Sequence, residues 1–148
     1  IPSANVTQLA NNLAKLPLEE AGMATLAESI TSISELQNPN VVKVINNIKG
    51  YAIAFSRSVL PFDRDGQNSS SGLAFPYLRH IGIYAYRAGF LKTFASWSDV
   101  VIEDIEQLEQ LRILWHGEKI LVKQAIEHPG YGVDTPEDLD RVLAIMPR

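Results

Sequence analysis

The chain has 148 residues, of which 46% are hydrophobic and 20% charged, with a formal net charge of −4 at pH 7. This length and composition suit one domain spanning residues 1–148, and the near-balanced charge gives no sign of a nucleic-acid-binding surface. No apolar run reaches the roughly 18–20 residues needed to cross a bilayer, while the lack of cysteine excludes disulfides and thiolate metal sites and fits a reducing cytoplasm.

The first half of the sequence predicts one helix followed by strands. Residues 7–15 carry apolar side chains at helical spacing and are followed by Pro17, which ends a helix. Residues 22–27 are short and apolar, as expected of a buried strand. Residues 41–45 and 51–55 are rich in β-branched and aromatic side chains, and the polar residues between them predict a hairpin.

The second half predicts a loop and then a mixture of strands and helices. The polar, glycine-containing residues 63–76 are typical of a loop. The periodicity then predicts a strand at 81–86, a helix at 88–97, a helix at 102–115, a strand at 119–125 and a helix at 136–146. In the helix at 102–115, the stripe predicted to be buried consists of Ile102, Ile105, Leu108, Leu111 and Trp115. Strands and helices mixed around a hairpin indicate an α/β fold with a sheet of mixed direction.

Arg57 and Arg64 lie seven positions apart, at the end of a predicted strand and the start of the polar loop. Guanidinium groups bind carboxylates bidentately, so two convergent arginines can hold a sugar acid. The residues alone favour a surface or structural role for each arginine.

His80 and Tyr84 have the spacing that places two side chains on one face of a strand. Gly82 between them leaves room for a sugar ring, and Tyr86 shares the face, while residues 81, 83 and 85 point the other way. The alternative is a histidine whose hydrogen bonds are satisfied inside the core. Nothing in the sequence assigns His80 as a general base.

Two further polar positions are candidates for ligand contacts. Glu109 and Gln110 combine acceptors with an amide donor, which suits vicinal hydroxyl groups, although Glu109 could instead face Arg112 on a helix surface. Asp134 lies directly before the closing helix, where a carboxylate can bind a ligand or simply favour the helix start.

Several long motifs occur in one order along the chain: FSRSVLPFDRD (55–65), RHIGIYAYR (79–87), LEQLRILWHGEKI (108–120) and GVDTPEDL (132–139). Together with GMATL (22–26), they resemble the CMP-Kdo synthetases, also called 3-deoxy-manno-octulosonate cytidylyltransferases. The family's PARYxSTRLPGKPL, DHxSGTER and QGDEP motifs do not occur in this sequence. We therefore interpret the chain as the C-terminal half of such an enzyme and expect it to be inactive by itself.

The resemblance implies a Rossmann-like nucleotide-diphospho-sugar transferase fold, a mixed sheet with flanking helices, whose N-terminal half is absent. It implies transfer of CMP from CTP to 3-deoxy-D-manno-octulosonate (Kdo) for lipopolysaccharide synthesis. It also implies a cytoplasmic homodimer, in which we expect residues 22–56, with their apolar hairpin, to lie nearest the partner. It further implies that Asp134 binds Mg²⁺. The residues implied to bind the sugar acid are Arg57, Arg64, His80, Tyr84, Glu109 and Gln110.

Two alternatives stay open. One is a related synthetase acting on another sugar acid, such as sialic acid, although the LEQLR and GVDTPEDL motifs disfavour it. The other is a non-catalytic module that binds a ligand and dimerises. No nucleic-acid or membrane partner is expected under any of these interpretations.

Overall fold

A mixed five-stranded sheet organises the part of the chain that the structure, a computed structural model, describes: residues 1–69, 71–130 and 143–144. The elements are α1 (Ser3–Ala14), β1 (Met23–Ser29), α2 (Ile33–Gln37), β2 (Lys43–Asn46), β3 (Ala52–Ser56), β4 (Leu78–Tyr86), α3 (Ala88–Ala95), α4 (Val101–Glu106), α5 (Leu111–Trp115) and β5 (Ile120–Gln124). The strand order is β3-β2-β4-β1-β5, with β1 parallel to β5 and antiparallel to β4. Strand β2 is antiparallel to both β3 and β4, so the predicted hairpin and mixed sheet are confirmed.

Strand β4 contains a bulge that shapes one face of the sheet. Thr25 of β1 lies opposite Tyr84, whereas Ala27 lies opposite His80, so β4 takes four residue steps where β1 takes two. Gly82 is one of the residues of β4 between His80 and Tyr84, and it has a φ of +77°, a left-handed conformation that favours glycine. His80 and Tyr84 therefore flank the bulge, with their ring centroids 5.3 Å apart.

The sheet buries a different apolar cluster on each face. On one face, Tyr84 and Tyr86 pack against a cluster that includes Phe94 of α3. On the other face, residues 81, 83 and 85 pack with Leu13 of α1. The two faces predicted for this strand are thus confirmed, because side chains of successive strand residues point to opposite sides.

Helix α1 begins at Ser3, four residues before the predicted start at residue 7. Pro2 precedes it with a φ of −57°, close to the helical value. The polar residues at the start gave no apolar periodicity, and one of them, Asn5, is fully buried. Its burial depends on a partner that is distant in sequence, so the hydrophobic pattern could not locate the true start.

That partner is the chain segment that follows β5. Asn5 Nδ2 donates to the Glu127 carbonyl at 2.8 Å, and Asn5 Oδ1 accepts from the Glu127 N–H at 3.1 Å. One helical turn later, Gln8 Nε2 donates to the Gln124 carbonyl at 2.7 Å, and Gln8 Oε1 accepts from the Ile126 N–H at 3.2 Å. The two amides thus replace a neighbouring strand along residues 124–127, and we call this arrangement the amide clamp.

The prediction of one continuous helix at 102–115 is wrong. The structure has two short helices, α4 and α5, and the first ends at Gln107, which adopts a left-handed conformation (φ 52°, ψ 50°). The carbonyls of Glu106 and Gln107 accept hydrogen bonds from the Arg57 guanidinium at 2.7 and 3.4 Å. In a continuous helix these carbonyls would accept from residues four positions later, so a tertiary contact replaces the helical bonds.

The buried stripe predicted for that helix is correspondingly only partly right. Leu108 and Leu111 are buried, but Ile102, Ile105 and Trp115 are 39, 77 and 63% exposed. The break changes the direction of the chain, so the residues before and after it no longer share one face.

Helix α2 was not among the predicted elements. Its first turn is capped by Ser32, whose Oγ accepts a hydrogen bond from the Glu35 N–H at 3.2 Å. Ser32 and Glu35 have the spacing of a capping box, and this was the available signal.

The predicted closing helix at 136–146 lies outside the described residues except for 143–144, which are helical. The single-domain organisation of residues 1–148 stays a prediction. Within the described ranges, the structure contains no helix with the length and apolar character that a membrane span requires.

Candidate functional site

An open cavity of about 680 Å³ lies where the turn before β2, the start of β4 and the break between α4 and α5 meet. It is lined by Ile1, Asn40, Val41, Val42, Arg57, Arg79, His80, Ile81, Gly82, Tyr84, Gln107, Leu108, Glu109, Gln110, Pro129 and Gly130. The structure therefore brings together five of the six residues predicted to bind the sugar acid: Arg57, His80, Tyr84, Glu109 and Gln110.

Arg57 follows β3 and is held by backbone carbonyls. Its Nε donates to Glu106 at 2.7 Å, one terminal nitrogen donates to Pro39 at 3.1 Å, and the other donates to Gln107 at 3.4 Å. A guanidinium has five N–H donors, so one donor on each terminal nitrogen stays available. Two guanidinium donors can bind the two oxygens of a carboxylate.

His80 is present as a neutral ring whose tautomer follows from its neighbours. Thr25 Oγ1 donates to the Ile83 carbonyl at 2.7 Å and lies 2.9 Å from His80 Nε2. Because a hydroxyl has one proton, Nε2 must carry the proton of the second hydrogen bond. Burial lowers the pKa of His80 to about 4. At pH 7 the ring thus offers Nδ1 as an acceptor, for which the described residues provide no hydrogen-bond partner.

Gln110 carries a buried donor that lacks a partner. Its side chain is 3% exposed, its Oε1 accepts from the Tyr84 hydroxyl at 3.1 Å, and its Nε2 has no hydrogen-bond partner within the described part of the chain. A buried polar group left without a partner costs about 1–3 kcal/mol, so this donor in a cavity wall indicates a ligand acceptor. Burial, with smaller contributions from Tyr86 and Glu109, raises the pKa of Tyr84 and keeps its hydroxyl protonated.

Glu109 is exposed at the break between α4 and α5, beside buried Leu108 and Gln110. The alternative partner considered for it, Arg112, is engaged elsewhere, with Glu103 at 2.5 Å and Asp99 at 2.6 Å. Its carboxylate is therefore available to accept hydrogen bonds from a ligand in the cavity.

Arg64 does not reach the cavity, so the predicted clamp of two arginines is absent from the structure. Its side chain is 87% exposed and pairs with neighbouring Asp65 at 3.1 Å. A spacing of seven residues across the end of a strand does not determine the direction in which a loop leaves the sheet, and this loop carries Arg64 into solvent.

The turn at residues 38–42 is the main part of the cavity that the sequence did not identify. The Asn-Pro-Asn signal located a turn, and the structure shows that Asn40, Val41 and Val42 line the cavity. The Val42 carbonyl accepts from the His80 N–H at 2.8 Å, which brings the turn beside β4. Arg79, also in the lining, was unassigned although it lies within the RHIGIYAYR motif.

The predicted metal ligand, Asp134, lies outside the described residues. Within those residues, no group of three or more His, Cys, Asp or Glu side chains is placed to hold a metal ion. Gly130, four residues before Asp134, lines the cavity.

Proteins of known identity resemble this chain closely. It is 54% identical over 149 residues to the 3-deoxy-manno-octulosonate cytidylyltransferase of Pseudomonas syringae pv. tomato, covering 99% of this chain and 58% of that protein. It is 51% identical over 147 residues to the same-named protein of Vibrio parahaemolyticus, covering 99% of this chain and 57% of that protein. The chain thus spans less than two thirds of the length of these relatives.

A solved structure of CMP:2-keto-3-deoxy-manno-octonic acid synthetase complexed with CTP superposes with a TM-score of 0.83. It is 34% identical and covers 98% of this chain and 56% of that one. The predicted α/β fold class is confirmed by this match. A family model described as Cytidylyltransferase matches residues 1–120. The chain therefore belongs to the cytidylyltransferase family.

Proposed function

We propose that the whole protein is a 3-deoxy-manno-octulosonate cytidylyltransferase, which transfers CMP from CTP to Kdo and supplies CMP-Kdo for lipopolysaccharide synthesis. The observation that carries this proposal is the buried, unpartnered Nε2 of Gln110 in the same cavity wall as the anchored guanidinium of Arg57. An amide donor beside a guanidinium suits a ligand that has both hydroxyl groups and a carboxylate. The names of the relatives support the same substrate.

In this proposal, different lining residues bind different groups of the sugar acid. Arg57 binds its carboxylate through the two donors that the backbone carbonyls leave available. Gln110 Nε2 donates to one hydroxyl, while His80 Nδ1 and the Glu109 carboxylate accept from others. Tyr84 fixes the Gln110 amide, because its hydroxyl donates to Oε1 and so directs Nε2 away from that contact.

In the proposed reaction, the anomeric 2-hydroxyl oxygen of Kdo forms a bond to the α-phosphorus of CTP. The bond from that phosphorus to the oxygen bridging to the β-phosphate breaks, and pyrophosphate leaves while the hydroxyl proton is released. The contribution of this chain is to orient the sugar acid, which converts an encounter of two substrates into a reaction within one complex. His80 serves as a neutral hydrogen-bond acceptor, and no general base is assigned.

We also propose Mg²⁺ as the cofactor, with Asp134 as its ligand from this chain. Mg²⁺ commonly binds one or two protein carboxylates together with waters and substrate phosphates, which fits the absence of a larger acidic group among the described residues. When bound, it would neutralise phosphate charge.

The Asp134→Asn variant of the whole protein tests that assignment. It keeps the shape of the side chain and the capacity to cap a helix, so the unfolding free energy should change by less than about 1 kcal/mol. The loss of the charge should nevertheless abolish most turnover, with partial recovery at high Mg²⁺. A kcat close to wild type, measured on the same preparation as the melting temperature, would remove Asp134 from the site.

A homodimer in the cytoplasm belongs to the same proposal. Its support is the β2–β3 hairpin, where Ile48 is fully exposed and Ile53 is 58% exposed, since exposed apolar residues favour a protein contact. Sedimentation of the whole protein and of an Ile48→Asp, Ile53→Asp variant would test it. A dimer unaffected by these changes would place the contact elsewhere.

Pyrophosphate release provides the test of the reaction. The whole protein should release pyrophosphate with CTP and Kdo, and much more slowly with CTP and N-acetylneuraminate, a sialic acid. Faster release with the sialic acid would favour the related synthetase, and no release with either would exclude both enzymes.

A further inference from the structure

Lys43 of β2 is fully buried, and the proposed reaction does not use it. A buried ammonium group is costly unless its charge and its donors are compensated. The compensation here comes from two backbone carbonyls: Nζ donates to Asn38 at 3.0 Å and to Val41 at 2.5 Å. Lys43 therefore binds the backbone of the turn that precedes β2.

The same turn is held by two other donors. Arg57 donates to the Pro39 carbonyl at 3.1 Å, and the His80 N–H donates to the Val42 carbonyl at 2.8 Å. The carbonyls of residues 38, 39, 41 and 42 thus all accept hydrogen bonds from Lys43, Arg57 or His80. This leaves Asn40, Val41 and Val42 as one wall of the cavity.

Glu106 supplies a negative charge near Lys43 and Arg57: its carboxylate accepts from the Arg57 backbone N–H at 3.0 Å and from the Ser56 hydroxyl at 2.7 Å. Burial and the nearby charge of Arg57 lower the pKa of Lys43, and Glu106 opposes this.

We propose that Lys43 is a positioning residue for the sugar acid, which holds the turn at residues 38–42 as a cavity wall and thereby sets the place of the Arg57 guanidinium. This inference rests on the proposed function for the identity of the ligand. The stabilisation of the turn by Lys43 rests only on the contacts of Lys43. The role of Lys43 in the turn and the identity of the ligand can therefore be tested separately.

The test compares Lys43→Met with Lys15→Met, a matched change at the exposed lysine that directly follows α1. In Lys43→Met, the amide protons of Val41 and His80 should exchange with solvent at least about tenfold faster than in wild type, because the turn loses two charge-assisted bonds. The KM for Kdo should rise by about tenfold, while the KM for CTP stays within about twofold. Lys15→Met should match wild type in every measurement.

If Lys43→Met does not fold, Lys43→Gln replaces it, because a neutral amide can be buried and can still donate to one carbonyl. Its exchange rates and its KM for Kdo should lie between wild type and the losses expected for Lys43→Met. Unchanged amide exchange rates at Val41 and His80 in the variant would contradict the proposal that Lys43 stabilises the turn. An equal rise of both KM values would overturn the positioning of the sugar acid. Failure of the wild-type protein to use Kdo would instead reject the proposed function, and the exchange rates would still decide whether Lys43 holds the turn.

Discussion

At the scale of single residues, Arg57 connects the fold to the proposed chemistry. Its guanidinium binds the carbonyls of Pro39, Glu106 and Gln107, which belong to the turn before β2 and to the helix break. Both segments line the cavity. A lysine could not replace it, because an ammonium group has three N–H donors and would have none left for a ligand after binding three carbonyls.

Arg57→Ala in the whole protein should raise the KM for Kdo about ten- to hundredfold, the effect of losing about 1.5–3 kcal/mol from a charge-assisted carboxylate contact. The KM for CTP should change much less. Arg64→Ala is the matched control, and its effect should be within about twofold because this side chain is 87% exposed and outside the cavity. A tenfold or larger rise in the KM for Kdo in both variants would support the clamp of two arginines. A rise in Arg57→Ala that is confined to the KM for CTP would mean that Arg57 binds CTP instead of Kdo.

His80 should make the stability of the protein depend on pH below neutrality. Burial lowers its pKa from an ordinary value of 6.5 to about 4. Between these values the unfolded chain binds more protons, so stability is complete above about pH 6.5 and falls as the pH drops towards 4, by about 3 kcal/mol at most. Unfolding of wild type and His80→Gln across this range measures the effect. The stability difference between the two proteins should change by this amount across the range, because only wild type carries the titrating ring, and parallel curves would contradict the assignment.

At the scale of secondary-structure elements, the amide clamp joins the first helix to the segment after the last described strand. Asn5 and Gln8 satisfy four backbone groups along residues 124–127. Strand β5 lies at one end of the sheet order, where no further strand is available in the described residues. Side-chain amides therefore cover this edge along residues 124–127, which would otherwise leave backbone groups without partners, while the Gly50 carbonyl accepts from the Val122 N–H at 2.8 Å earlier in β5.

Asn5→Ala should lower the unfolding free energy by about 2–3 kcal/mol, because it leaves the N–H and carbonyl of Glu127 without their partners. Amide exchange at Glu127 should accelerate more than exchange in β1. The control is Asn11→Ala, which changes an exposed asparagine of the same helix and should alter stability by less than about 0.5 kcal/mol. Similar losses from both variants would mean that the effect is not specific to the amide clamp, because helix propensity alone would make both substitutions stabilising.

At the scale of the whole molecule, the described cavity contains groups suited to a sugar acid, while the chain lacks the three nucleotide-associated motifs of the family it resembles. We therefore expect the 148-residue chain to bind Kdo in calorimetry without CTP and to release no pyrophosphate above background. Binding should disappear in Arg57→Ala. Turnover by a sample of verified mass would show that the missing motifs are dispensable, and absence of Kdo binding would favour a module with another ligand.

The sequence by itself determined the fold class, the hairpin and the two faces of β4. These features follow from local periodicity: alternating side chains along a strand reach opposite sides whatever the rest of the chain does. The motifs also identified Arg57, His80, Tyr84, Glu109 and Gln110, all of which line the cavity.

Only the tertiary structure decided which of the predicted site residues lie together and which contacts hold them in place. Arg57 binds carbonyls at the break in the helix predicted at 102–115, and Arg64, with the same side chain, points into solvent. Asn5 starts α1 early by bonding to Glu127, and Lys43 is buried because a nearby turn offers two carbonyls. For Arg57, Asn5 and Lys43 the deciding partner is a backbone group, and backbone groups are nearly identical along the chain. Sequence patterns therefore cannot show which of them a polar side chain will reach, because that depends on the path of the folded chain.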